Sequence, residues 1–177
     1  IAINNNVDSA NPTENDFTPF LNIMNEWYAK DTSNKIKAVF KSRMKEGLRC
    51  SGAIPYGYKR INGDKQTLVV DEPAAEIVRK VFRLACQGMG VTAIAEQLTE
   101  EKVLIPSAYT AKYFPENCRN RSFSDPYRWN ANTIGHILDR QEYLGHTVLG
   151  KSICENFKTK QRRAATPEEL MIFPDTH

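Results

Sequence analysis

Asp71-Glu72-Pro73-Ala74-Ala75-Glu76-Ile77-Val78-Arg79-Lys80-Val81-Phe82-Arg83-Leu84-Ala85, followed by Gly88-Met89-Gly90-Val91-Thr92, is the stretch whose reading decides the fold. Asp71 is expected to cap a helix with Pro73 in its first turn, and Ile77, Val78, Val81, Phe82 and Leu84-Ala85 make a buried stripe at helical spacing. Gly88 and Gly90 end that helix. Thr92 is expected to cap a shorter one that turns Ile94, Ala95 and Leu98 inward. Further on, Trp129 precedes Asn130, a plausible cap, and Ile134, Ile137 and Leu138 define a third helix that Tyr143-Leu144-Gly145 closes. Helices over 72–87, 92–101 and 130–139 make a helix-turn-helix-like core with an enlarged connection. That connection, Leu104 to Tyr127, exceeds the usual length inside a compact domain and reads as a functional or mobile loop carrying Arg119-Asn120-Arg121.

Upstream, Tyr56-Gly57-Tyr58-Lys59-Arg60, the turn Asn62-Gly63-Asp64 and Thr67-Leu68-Val69-Val70 predict a β-hairpin, because aromatic and β-branched residues flank an Asn-Gly pair. His146 to Leu149 reads as a strand. The residues after it form a loosely structured basic exit, with Pro167-Glu168-Glu169 opening a final helical turn. Toward the N-terminus, Asp16 or Thr18 can cap a helix with Pro19 in its first turn, and no Gly or Pro intervenes from there to Glu46. Its apolar residues fall in two blocks, Phe17, Phe20, Leu21, Met24, Trp27 and Tyr28, then Ile36, Val39, Phe40 and Met44. A helix of roughly 30 residues would run about 45 Å, more than one core covers, so it is expected to bridge two bodies. The fold class is therefore α+β and mainly helical: a long connecting helix, then a helix-turn-helix-like domain with a small β-hairpin.

The chain has 24 Lys and Arg against 21 Asp and Glu, a net charge of +3 too mild to identify a partner. Its distribution says more. Lys30, Lys35, Lys37, Lys41, Arg43, Lys45 and Arg49 face only Asp31 and Glu46, and Lys151, Lys158, Lys160, Arg162 and Arg163 face only Glu155. Such density suits a polyanion, and a solvated helix face suits it equally. The cysteines, Cys50, Cys86, Cys118 and Cys154, form no CxxC pair and have no His at ligand spacing, so no metal, cofactor or disulfide framework is expected. No apolar run reaches the ~18 residues of a membrane span. There is no GxxxxGK[ST] and no HExxH. Ile1-Ala2-Ile3 reads as a strand cut from something longer.

On the third helix, Asn130, Asn132, Thr133 and His136 lie opposite Ile134, Ile137 and Leu138, with Arg128 and Arg140 flanking them. In a helix-turn-helix the third helix enters the major groove, where Asn and Thr can pair with base edges while arginines meet phosphates. Asn130 and Asn132 fit simple helix capping equally well.

Asn15-Asp16-Phe17-Thr18-Pro19-Phe20 through Trp27-Tyr28-Ala29-Lys30-Asp31-Thr32-Ser33 resembles the end of a serine recombinase catalytic domain and the start of its connecting helix. Gly52-Ala53-Ile54-Pro55-Tyr56-Gly57-Tyr58, followed by Val70-Asp71-Glu72, Ala75, Ile77-Val78, Val81-Phe82, Gly88, Ile94-Ala95, Leu98, Trp129, Ile134, Ile137-Leu138 and Tyr143-Leu144-Gly145, resembles the "recombinase" domain of the large serine recombinases of phage integration and mobilisable transposons. The resemblance spans essentially the whole chain. It implies residues 1–16 as the tail of a truncated catalytic domain, 17–47 as the connecting helix, 48–150 as the DNA-binding domain and 151–177 as a basic exit toward a further domain. It implies a bacterial cytoplasmic parent enzyme that cleaves and rejoins DNA through a phosphoserine link, acts on double-stranded attachment or transposon-end sites, and self-associates as a dimer or tetramer.

The nucleophile of this family lies upstream of the long helix. Ser9 and Ser33 stand in the wrong context, no catalytic residue is assigned, and the fragment should be inactive alone. The early connecting helix of many relatives carries an acidic residue and an arginine; Lys30-Asp31-Thr32-Ser33-Asn34-Lys35 has no arginine. The resemblance also places Lys41, Arg43, Lys45 and Arg49 against phosphates or the minor groove, as suits an arginine on a glycine-flanked connector. Two other readings stay open: a helix-turn-helix transcription regulator, and an assembly module in which the long helix pairs with itself without binding DNA.

Overall fold

The computed structural model describes residues 18–50, 54–61, 64, 66–117, 122–156 and 158–177. The expected strand at Ile1, the 1–16 tail, the Asn62-Gly63 turn and Arg119-Asn120-Arg121 lie outside the described residues. The architecture is α+β and mainly helical, with a long N-terminal helix and small antiparallel strand pairs. In order come α1 (Thr18–Lys45), β1 (Tyr58–Arg60), β2 (Leu68–Val70), α2 (Glu72–Cys86), α3 (Val91–Glu100), α4 (Pro106–Tyr113), α5 (Ala131–Leu138), β3 (Thr147–Leu149), β4 (Ser152–Cys154), β5 (Arg162–Ala164) and β6 (Met171–Phe173). Two compact units result, one holding α1 with Leu149–Met171 and the other Ser51–Val148 with Ile172–His177.

In the second unit the core forms where the three expected helices meet. Val78 and Val81 of α2, Ile94, Ala95 and Leu98 of α3, and Ile134 and Ile137 of α5 are buried together with Trp129. Full burial of each large apolar side chain contributes about 1.5–3 kcal/mol, so this cluster dominates the unit's stability. Trp129 also ties the elements by hydrogen bonds. Its backbone N–H donates to Thr99 Oγ1 at 3.0 Å and its indole N–H to the Val103 carbonyl at 2.9 Å.

The helix stops follow from backbone chemistry. At the end of α2, Gly88 adopts φ 86°, its N–H reaches the Ala85 carbonyl, and the Met89 N–H reaches that of Leu84. This is a Schellman arrangement, and Met89 then packs on the core. The same pattern ends α3 with Lys102 in the left-handed position at φ 52° and Val103 turned inward. Gly47 ends α1 likewise, at φ 75°.

The predicted hairpin pairs β1 with β2 antiparallel, Tyr58 opposite Val70 and Arg60 opposite Leu68. Gly57 precedes it at φ 96°, and a Cβ there would lie 3.2 Å from Val78 Cγ2 and 3.4 Å from Ala75 Cα. Only glycine lets this strand approach α2 so closely without strain.

Four expectations are corrected. Asp71 stands at the N-cap of α2 without capping it, because its buried carboxylate instead accepts from Lys59 Nζ (3.3 Å) and the Tyr109 hydroxyl (2.7 Å). Thr92 lies inside α3, whose N-cap is Gly90. The stretch from Leu104 to Tyr127 holds α4, opened by Pro106 in its first turn, and a 3-10 turn at Pro115–Asn117. The exit segment is folded rather than loose: β4 pairs with β5, Ser152 opposite Ala164, and Pro167–Glu169 is the expected short turn of helix. Arg163 organises that segment by bonding Glu155 (2.8 Å) and Glu169 (2.7 Å).

In the first unit α1 runs for 28 residues, about 42 Å at 1.5 Å per residue, with none of its side chains buried. Phe20, Ile23, Trp27, Tyr28, Ile36, Val39 and Phe40 are all exposed. Lys158 reaches Glu26 at 2.5 Å within this unit.

Candidate nucleic-acid interface

α5 presents the polar row expected of a reading helix. Its eight residues turn Ile134 and Ile137 into the core, which leaves Asn132 and His136 exposed and four positions apart on the outward side. Thr133 is half-buried between the two sides, while Arg128 and Arg140 are exposed at the helix flanks. Asn130 is the N-cap, its side-chain oxygen accepting from the Asn132 backbone N–H at 2.7 Å. That oxygen is thereby committed, leaving the side-chain amide N–H group as the part of Asn130 able to face a partner.

Thr133, His136 and Arg140 come together around a cleft of about 280 Å³, whose other wall is Ser107 and Thr110 of α4 and whose floor includes Tyr56 and Tyr143. Among the described residues no carboxylate lines it. Tyr143 donates its hydroxyl to the Tyr56 carbonyl at 2.7 Å, locking the floor. Burial pushes the Tyr56 and Tyr143 phenols well above their ordinary range, so both stay neutral. Tyr109 is raised in the same direction, first by burial and then by its bond to Asp71. The wall formed by α4 is therefore held in place by a neutral phenol donating to a buried carboxylate. A larger cavity, about 610 Å³, is walled by apolar residues such as Val78, Phe82 and Leu138 and edged by Arg79 and Arg83.

The remaining expected contact residues belong to the other unit or its end. Lys41, Arg43 and Lys45 are exposed on the last turns of α1, and Arg49 beyond Gly47 is half-buried with an intramolecular partner. Sequence reasoning missed α4, hence Ser107 and Thr110. The signal was present: Pro106 suits a first helical position, and Ile105, Ala108 and Tyr109 follow at helical spacing.

Among the described residues no group of three His, Cys, Asp or Glu could hold a metal, and no described helix is long and apolar enough to cross a membrane. The arrangement is that of a small helical domain in which α5 buries Ile134 and Ile137 and turns Asn132 and His136 outward. A family model described as Recombinase matches residues 72–177, and the chain belongs to that family. Membership ties it to DNA recombination. No curated protein and no solved structure matches the chain.

Proposed function

We propose that this chain is the sequence-reading DNA-binding portion of a large serine site-specific recombinase, with α5 as the reading helix in the major groove. The observation that carries the reading is the exposed Asn132–His136 row on a helix whose opposite side is locked into the core. In this reading Asn132 and His136 meet base edges with Thr133 beside them, and Arg128 and Arg140 meet phosphates. Asn130 sets the helix start and offers its amide at the groove. Lys41, Arg43, Lys45 and Arg49 supply phosphate or minor-groove contacts from the connecting helix and its exit. The parent enzyme works on double-stranded attachment or transposon-end sites in a bacterial cytoplasm, and no residue of this chain is assigned to catalysis.

The exposed apolar residues of α1 favour self-association of the parent as a dimer or tetramer. A selection from random duplex DNA at about 150 mM salt tests the reading, because screening there weakens the phosphate contribution and base readout must show itself. A shared motif among the recovered sequences is the expected result. Recovery of no motif, together with binding that ignores salt, would replace this reading with helix-mediated assembly.

A further inference from the structure

The cleft between α4 and α5 is built for an anion, and the geometry points to a single backbone phosphate of the bound duplex seated there, held by Ser107 of α4, Thr133 of α5 and Arg140 just beyond α5, while His136, which also lines the cleft, stays with the base edges. This assignment rests on the proposal that α5 docks on DNA. Its grounds are independent of base reading. The cleft holds about 280 Å³, several times the roughly 30 Å³ of one water, and its walls carry a guanidinium, an imidazole and three hydroxyls with, among the described residues, no carboxylate to repel a negative ligand.

Two of the other hydroxyls of the cleft are committed elsewhere. Thr110 donates its hydroxyl to the Pro106 carbonyl at 2.9 Å, and Tyr143 donates to the Tyr56 carbonyl. The side chains of Ser107, Thr133, His136 and Arg140 have no hydrogen-bonding or ion-pair partner among the described residues, which leaves their donors available. Charge-assisted hydrogen bonds to phosphate are short and strong, and an arginine fork matches that geometry. α4 thus acts as the second jaw of a phosphate clamp. The buried Asp71–Tyr109 bond fixes where that jaw stands.

The test is a methylphosphonate scan of a duplex carrying the selected site, in which one phosphate at a time is made neutral, with the whole chain as wild type and as Ser107→Ala and Arg140→Gln. For the wild type, one position in each site should lose ~10-fold in affinity on neutralisation, the size expected of a charge-assisted contact. In Ser107→Ala the penalty at that position should shrink to ~3-fold or less, with penalties elsewhere unchanged. Arg140→Gln should lower the salt slope by about one, as for one lost phosphate contact. A melting curve for each variant excludes unfolding. Sequence-selective binding with a scan that neither substitution alters would overturn the clamp and leave α5 as reader, whereas absence of duplex binding would overturn both. Inorganic phosphate alone should leave the His136 ring resonances unmoved at about 1 mM, since one isolated ion lacks the other contacts of a docked duplex. Saturation at that concentration would make the cleft a free-anion site and contradict the duplex assignment.

Discussion

The core of α2, α3 and α5 and the helix α1 are built from similar residue types and put to opposite use. In the core, Ile94, Leu98 and Ile134 are sealed from solvent, and each helix ends where its apolar stripe ends. In α1, Trp27, Ile36 and Val39 stay more than half exposed, although the helix is nearly twice the length of α2. Helical spacing therefore predicts a helix reliably and says little about what the apolar side meets. Packing fixes the first region, while the second is held by its own hydrogen bonds and a few ion pairs such as Lys35–Asp31.

The contrast is sharpened most by cavity formation. Ile94→Ala or Ile134→Ala should cost about 2–5 kcal/mol in urea unfolding, whereas Ile36→Ala should stay within about 0.5 kcal/mol. A comparable loss at Ile36 would mean that α1 is packed in solution. Next comes the buried carboxylate: Asp71→Ala should cost about 1–3 kcal/mol by leaving the Tyr109 hydroxyl without its acceptor, and Tyr109→Phe should add little on top of it in a double-mutant cycle. Additive losses would show that the two groups act separately. Asn130→Ala should cost about 1 kcal/mol, the usual value of an N-cap, and no more if the core holds α5 in place.

A smaller effect is expected in the first unit, from pH. The Arg163 guanidinium beside Glu169 holds that carboxyl down at about 2, against an ordinary 4.5. Because the folded value is the lower one, the clamp contributes fully above the ordinary value and is lost as pH falls from about 4.5 toward about 2. NMR titration of the Glu169 carboxyl should show this low midpoint, and Arg163→Ala should return it to the ordinary range; an ordinary midpoint in the wild type would remove the clamp.

How much was legible in the sequence follows the same division. The helices over 72–87, 92–101 and 130–139 and the 56–70 hairpin could be read because their signals are local: apolar spacing, glycine stops, an Asn-Gly pair. α4 was harder to read: Pro106 marks its start, but Ala108 is its one buried side chain and its position depends on distant partners, Ile105 N–H to the Pro126 carbonyl and Tyr109 to Asp71. The β4–β5 pair was hidden by its charge. Its strands are three residues each, β5 is Arg162-Arg163-Ala164, and what organises them is the reach of Arg163 to two separated glutamates. Asp71 misled for a related reason: a carboxylate at an N-cap position looks local, yet its partners come from β1 and α4. At the candidate site, the α5 row was visible from spacing, while the cleft it shares with α4 required the fold.

The most direct measurement is the ratio of affinities for the selected duplex and a scrambled duplex, compared for wild type, Asn132→Ala, His136→Ala and Lys41→Ala. With α5 as reader, Asn132→Ala and His136→Ala should each lower the ratio by about 1–3 kcal/mol, while Lys41→Ala weakens both duplexes alike and leaves the ratio intact. Equal weakening of both duplexes by all three substitutions would contradict the account and show that α5 is not the helix that reads the sequence.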